Sequence, residues 1–196
     1  MDQPKLELDE ATHCYTLDGR RLLSVTQALS ILDDRWKVDP FYLERGRIID
    51  LACELYDMGE LDENSVDPQI EGYVEAYKKF IIETKFKVVY PKPGEGQLKL
   101  YHPHYLYAGK PDVIGILNDD LDLIDRKSGA KSKIDELQEV AYLELARVNN
   151  IPVKKLFDLY LNKNGNYNLE PVKQIPRHLL PVFLAALTCA RFKEGL

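Results

Sequence analysis

Tyr107-Ala108-Gly109-Lys110-Pro111-Asp112-Val113-Ile114-Gly115-Ile116-Leu117 is followed by the polar run Asn118-Asp119-Asp120 and then by Leu121-Asp122-Leu123-Ile124-Asp125-Arg126-Lys127-Ser128-Gly129. Two apolar, β-branched runs on either side of a short acidic turn predict a β-hairpin. Strand side chains alternate between faces, so Leu121, Leu123, Asp125 and Lys127 share one face and Asp122, Ile124 and Arg126 the other. The leucine-bearing face is the one expected to be covered. A carboxylate and an ammonium on that face need partners or a metal.

Outward from this hairpin, the chain reads as strands and helices throughout. Short strands are expected at Lys5–Leu8, His13–Leu17 and Arg20–Leu23, with Asp18-Gly19 as a turn. Ser24 is placed to cap a helix running to Leu32. Asp33 to Asp39 is a polar break containing Trp36. Pro40 suits the first turn of a second helix, ending near Asp57 and closed by Gly59, with Ile48, Leu51, Ala52 and Leu55 as its core face. A third helix is expected from Pro68 to Thr84, with Ile70, Val74, Tyr77 and Ile81 inward.

Strands follow at Phe86–Tyr90 and Gln97–Tyr101. After the hairpin, Ser132 or Asp135 caps a helix to Asn149 with the apolar face Ile134, Leu137, Ala141, Leu145 and Val148. Val153–Leu161 and Tyr167–Val172 form a second hairpin around Asn164-Gly165-Asn166, and Pro176 starts a last helix to Lys193. This order predicts an α/β (α+β) architecture, a mixed central sheet flanked by helices. Val153–Leu161 is expected to lie parallel to Leu121–Lys127 across the intervening helix.

The 196 residues suit one domain, with an N-terminal hairpin and short helix in 1–35 and a core in 40–196. No apolar run approaches the ~20 residues of a membrane helix, and the N-terminus lacks a signal-peptide pattern. Cys14, Cys53 and Cys189 are odd in number and widely spaced, which points to reduced thiols in a cytoplasmic protein. The net charge of −6 argues against coating nucleic acid by bulk electrostatics. Yet residues 121–196 carry 12 Lys/Arg against 9 Asp/Glu, while 1–120 carry 14 against 23. Lys131, Lys133, Lys154, Lys155 and Lys163 are therefore candidates for a phosphate track.

Two carboxylates on adjacent strands, with a lysine two positions after the second, suit a divalent cation. Mg²⁺ and Mn²⁺ take oxygen ligands, commonly one or two carboxylates plus water and substrate phosphate oxygens. Such a site can activate water and offset charge at phosphorus, with Lys127 positioning or deprotonating that water.

Several segments together resemble the PD-(D/E)xK nuclease superfamily, in its RecB-like, phage-type exonuclease branch. Pro111-Asp112 matches the PD, Asp125-Arg126-Lys127 the DxK, and Lys127-Ser128-Gly129 resembles the branch's Lys-Thr-Gly. Gln138 and Tyr142 match its Q-x-x-x-Y, Leu23-Ser24-Val25-Thr26 resembles its P-S-V-T, and Gly46 to Asp50 resembles its G-x-x-(I/V)-H helix. The resemblance implies a restriction-endonuclease-like core and a metal-dependent deoxyribonuclease, an exonuclease by its branch, in the cytoplasm of a bacterial or phage-infected cell. It further implies Asp112, Asp125 and the Arg126 carbonyl as ligands of Mg²⁺ or Mn²⁺, Lys127 as catalytic lysine, and Gln138, Tyr142 and Ser128 as contacts to DNA. Where many relatives have a ligating histidine this chain has Asp50, also an oxygen donor. Three scattered cysteines imply no iron–sulfur cluster. Some relatives form rings, which leaves an oligomer open.

Overall fold

The computed structural model describes residues 4–9, 12, 14–32, 39–94, 96–172 and 178–196. His13, Trp36 and Pro176, each assigned a place above, lie outside the described residues. The hairpin forms as β7 (Val113–Leu117) and β8 (Asp120–Lys127), antiparallel with Leu117 opposite Asp120. Its loop is therefore Asn118-Asp119 alone, with φ of 50° and 67°. Left-handed backbone at both positions suits the twist of a two-residue hairpin, and Asn and Asp tolerate it. Asp120 belongs to the strand.

The strand β9 (Leu156–Leu161) lies parallel to β8, and β10 (Tyr167–Pro171) folds back antiparallel on β9. With β4 (Lys87–Tyr90) on the other side, the sheet order is β10-β9-β8-β7-β4. A second mixed sheet contains β1 (Leu6–Asp9), β2 (Cys14–Leu17), β3 (Arg20–Ser24), β5 (Leu100–Tyr101) and β6 (Tyr107–Gly109), in the order β1-β2-β3-β6-β5. The segment Tyr107–Gly109 thus belongs to a different sheet from Val113–Leu117. Lys110, Pro111 and Asp112 carry the chain across, which puts Asp112 at the seam between sheets.

Among the described residues there are five α-helices: α1 (Val25–Leu29), α2 (Pro40–Met58), α3 (Glu71–Thr84), α4 (Lys133–Val148) and α5 (Leu179–Glu194). None is long and apolar enough to cross a membrane. The architecture is a mixed α+β fold. One face of the β10–β4 sheet, through Ile114, Leu123 and Leu156, packs on α1, α4 and α5. The opposite face, through Val113, Ile124 and Leu159, packs on α2 and α3. Both faces of β8 are consequently covered, as expected for a central strand beside a parallel neighbour. The face carrying Asp122, Ile124 and Arg126 is thus buried as well as the leucine-bearing one.

Local chemistry sets the helix ends. Ser24 caps α1 in a reciprocal box with Gln27, and α1 ends at Leu29, short of Leu32. Ser132 and Asp135 both serve α4: the Ser132 hydroxyl accepts from Ile134 N, and Asp135 Oδ2 accepts from Ser132 N at 2.7 Å. Gly59 closes α2 in the left-handed region, φ 73°. α3 begins at Glu71, after a turn at Asp67, and not at Pro68. The strand Gln97–Tyr101 shortens to Leu100–Tyr101.

The core face of α2 is rotated from expectation. Ile49, Ala52, Cys53 and Glu54 are buried, whereas Ile48 and Leu51 are 40% and 52% exposed. The apolar spacing marked the correct helix but the wrong stripe, because Ile48 and Leu51 line a cleft.

Candidate active site

The cleft, about 790 Å³, opens where α2, the β6–β7 crossing and α4 meet. Asp50, Asp112, Arg126, Gln138 and Tyr142 all line it, so residues far apart in sequence converge on one space. Asp125 and Lys127 sit behind this wall: Asp125 is 1% exposed, and the Lys127 side chain is largely covered.

Pairing across the strands builds the site. Val113 opposes Ile124, so Asp112 stands beside Asp125 just past the last pair of the hairpin. Asp112 Oδ2 accepts the Arg126 backbone N–H at 2.8 Å, which fixes the carboxylate at the strand end. The Asp112 and Asp125 carboxyls interact directly, and burial, followed by this like charge, pushes Asp125 up against the pull of Lys127. Lys127 Nζ pairs with Asp125 Oδ2 and lies 3.6 Å from Asp135 Oδ1. Burial works against its charge, yet these carboxylates hold the ammonium above the ordinary lysine range.

From α2, Asp50 faces the same group. Burial first, then the Asp112 carboxylate, pushes it up to about 7, while Arg126, Lys127 and Lys110 pull the other way. The simpler role, a surface pair with Arg47, is not formed: Arg47 bonds Glu44 at 2.9 Å. Ser128 is held at the foot of α2. A Cβ on Gly46 would meet Ser128 Oγ at 3.4 Å, so a small residue there lets helix and strand end approach.

The Arg126 side chain has a structural task that the DxK spacing conceals. Its Nη1 lies 3.2 Å from Asp57 Oδ2, with both side chains almost wholly buried. Tyr77 Oη donates to both Asp57 oxygens at 2.8 Å, and the guanidinium lies 5.2 Å from the Tyr77 ring centroid. Burial raises Asp57 to about 6 despite these donors. The triad ties β8 to α2 and α3 beneath the cleft.

On α4, Tyr142 is buried against β6. A Cβ on Gly109 would stand 2.9 Å from the Tyr142 ring, 3.0 Å from Val25 and 3.1 Å from Leu145, so glycine is required for this approach. Gln138, four residues earlier on the same helix, lines the cleft beside Tyr142, whose hydroxyl burial, then Asp112 and Asp125, hold well above the ordinary tyrosine range.

Other candidates resolve differently. His102 Nδ1 accepts from His104 N and Tyr105 N at 3.1 and 2.9 Å, and its Nε2 lies 3.3 Å from Glu144, so it organises a loop. Lys154 and Lys155 pair with Asp120 at 3.4 and 2.8 Å, and Lys131 with Asp158 at 3.4 Å. None of the five lysines of the expected track lines the cleft. Its cations are Arg47, Lys99, Lys110 and Arg126.

Sequence reasoning missed Glu139 and Asp158, which join Asp125 in a buried acidic group. The available signal was an aspartate inside the apolar strand Leu156-Phe157-Asp158-Leu159; Glu139 lies off the apolar face of α4 and gave none. Carboxylate oxygens from α2 (Asp50), the residue before β7 (Asp112) and β8 (Asp125) suit a hard divalent cation in the cleft wall. No family model matches the chain, and no curated protein matches it in sequence.

Proposed function

We propose that the protein is a metal-dependent deoxyribonuclease with a restriction-endonuclease-like core, acting as an exonuclease on linear DNA. The observation that carries this reading is the convergence of Asp50, Asp112, Gln138 and Tyr142 on one cleft, backed by Asp125 and Lys127. These are the positions that the PD-(D/E)xK resemblance picks out, and they lie on four different elements.

Asp112, Asp125, Asp50 and the Arg126 carbonyl would hold Mg²⁺ or Mn²⁺. When bound, the ion supplies a lowered water pKa and a counter-charge for the phosphoryl oxygens. The chain's own groups do the rest. Arg47, Lys99 and Lys110 attract the phosphate backbone into a cleft whose surroundings are otherwise acidic. Gln138 and Tyr142 orient the strand, and Ser128, beside Gly46 of α2, adds a contact to it. Lys127 keeps its proton while Asp125 and Asp135 are ionised, so in that state it orients water and opposes developing negative charge.

A second reading, a nuclease-fold protein that binds DNA without cutting, is favoured by one observation: Lys127 engages two carboxylates and is not among the cleft-lining residues. Incubation of labelled single- and double-stranded DNA with Mn²⁺ or with chelator separates the two. Cleavage that requires the metal upholds the nuclease, and retarded but intact DNA upholds the binder. A covalently closed circle left uncut distinguishes exonuclease from endonuclease.

A further inference from the structure

We infer that the chain holds a second divalent cation, at a buried site made by Asp125, Glu139 and Asp158 on the β9 side of the cleft wall. Asp125 and Asp158 are register partners on the parallel strands β8 and β9, so their side chains leave the sheet on the same face. That face is covered by α4, which brings in Glu139. One carboxylate oxygen from each residue lies within 4.8 Å of the other two. All three residues are only 1% exposed.

The compensating groups are unevenly spread. Lys127 takes Asp125, while Lys131 and Tyr160 reach Asp158 Oδ2 at 3.4 and 3.3 Å. Among the described residues, neither oxygen of Glu139 nor Asp158 Oδ1 has a hydrogen-bond donor. An ionised carboxylate buried without donors is among the costliest groups a fold can contain. Here the bare oxygens of Glu139 and Asp158 belong to the same group as Asp125, from opposing layers. Three hard oxygen donors without nitrogen or sulfur select Mg²⁺, Mn²⁺ or Ca²⁺ over softer metals.

The site is distinct from the cleft ligand set, which lies on the β7 side through Asp112 and Asp50, and the two share only Asp125. A cation there would neutralise Glu139 and hold Asp125 in its ionised form from behind. Because it is read by binding alone, the inference stands apart from the nuclease reading.

The test is Mn²⁺ titration by calorimetry on the chelator-stripped full chain, on Glu139→Gln and on Asp158→Asn, each checked for a cooperative melt. The expected result is one equivalent fewer of bound Mn²⁺ in both variants than in the parent, with Asp112→Asn still retaining the equivalent that they lose. Equal stoichiometry in the parent and either folded variant would overturn the inference and leave a proton or water between the acids. Loss of the equivalent in a chain that cuts no DNA would uphold it and count only against the nuclease reading.

Discussion

Asp125 and Asp158 face each other across the parallel β8–β9 pair, two carboxylates side by side with 1% exposure each. Like charges on neighbouring strands repel, and here they lack the water that would screen them. In chelator, Asp158→Asn is therefore expected to be at least as stable as the parent. With saturating Mn²⁺ the order reverses: ion at 100 times its Kd stabilises a chain that binds it by about 2.7 kcal/mol per site. Thermal melts with and without Mn²⁺ check this, and an equal metal-induced shift in both chains would contradict it.

The Arg126–Asp57 pair concerns stability more than chemistry. Removing one partner of a buried ion pair strands the other, and such losses are about 3–5 kcal/mol. Arg126→Met is expected to fall in that range by urea denaturation, since Asp57 then keeps only the Tyr77 hydroxyl among its present partners. A loss under about 1 kcal/mol, the scale of an exposed pair, would show that the triad is solvated.

Asp50 tests the ligand set proposed for the cleft. Asp50→Ala is expected to weaken Mn²⁺ binding at the cleft about 10-fold or more, the scale of a lost ligand or ligand-orienting group. Asp50→His returns a metal-binding donor and is expected to recover much of that loss. Unchanged affinity in the alanine variant, measured by calorimetry, would make Asp50 a bystander.

Gly109 carries a packing prediction. Its missing side chain leaves room for Tyr142, and Gly109→Ala would push a methyl into contacts at 2.9–3.1 Å from three side chains. The expected cost is about 1–3 kcal/mol of overpacking, read from the denaturation midpoint. Slower cleavage should accompany it, since Tyr142 and Gln138 shift together.

His102 sets an acid limit. Burial lowers its pKa below 6.5, outweighing Glu144, and its Nδ1 must stay unprotonated to accept two backbone N–H groups. The unfolded chain binds the proton more readily, so stability is full above about pH 6.5 and is lost as pH falls through the lower folded value. Melting temperatures from pH 8 to pH 5 should fall less steeply in His102→Asn, whose side-chain oxygen can accept without titrating.

Much of this was legible in the residues. Periodicity placed the hairpin, the α4 face and the parallel return of β9, because each rests on local alternation and one short crossover. The resemblance singled out Asp50, Asp112, Gln138 and Tyr142, which the fold brings to one cleft. What alternation cannot reveal is which sheet a strand joins. Tyr107–Gly109 reads as the start of β7, yet it pairs with β3. Periodicity also assumes that apolar means buried, which put Ile48 and Leu51 in the core when they line a cleft, and that the polar face of a helix is open, which hid the buried Glu139. Of the lysines of the expected track, Lys131 pairs with Asp158 and Lys154 and Lys155 with Asp120, partners distant in sequence that no local pattern shows.

The most direct test of the nuclease reading is the rate at which end-labelled linear DNA is degraded with Mn²⁺ by the parent, Asp112→Ala and Lys127→Ala. The prediction is metal-dependent release of label by the parent, with each variant slower by about 10²-fold or more, the scale of a lost general acid–base or electrostatic group. Parental rates in both variants, or no metal-dependent cleavage by the parent, would contradict it.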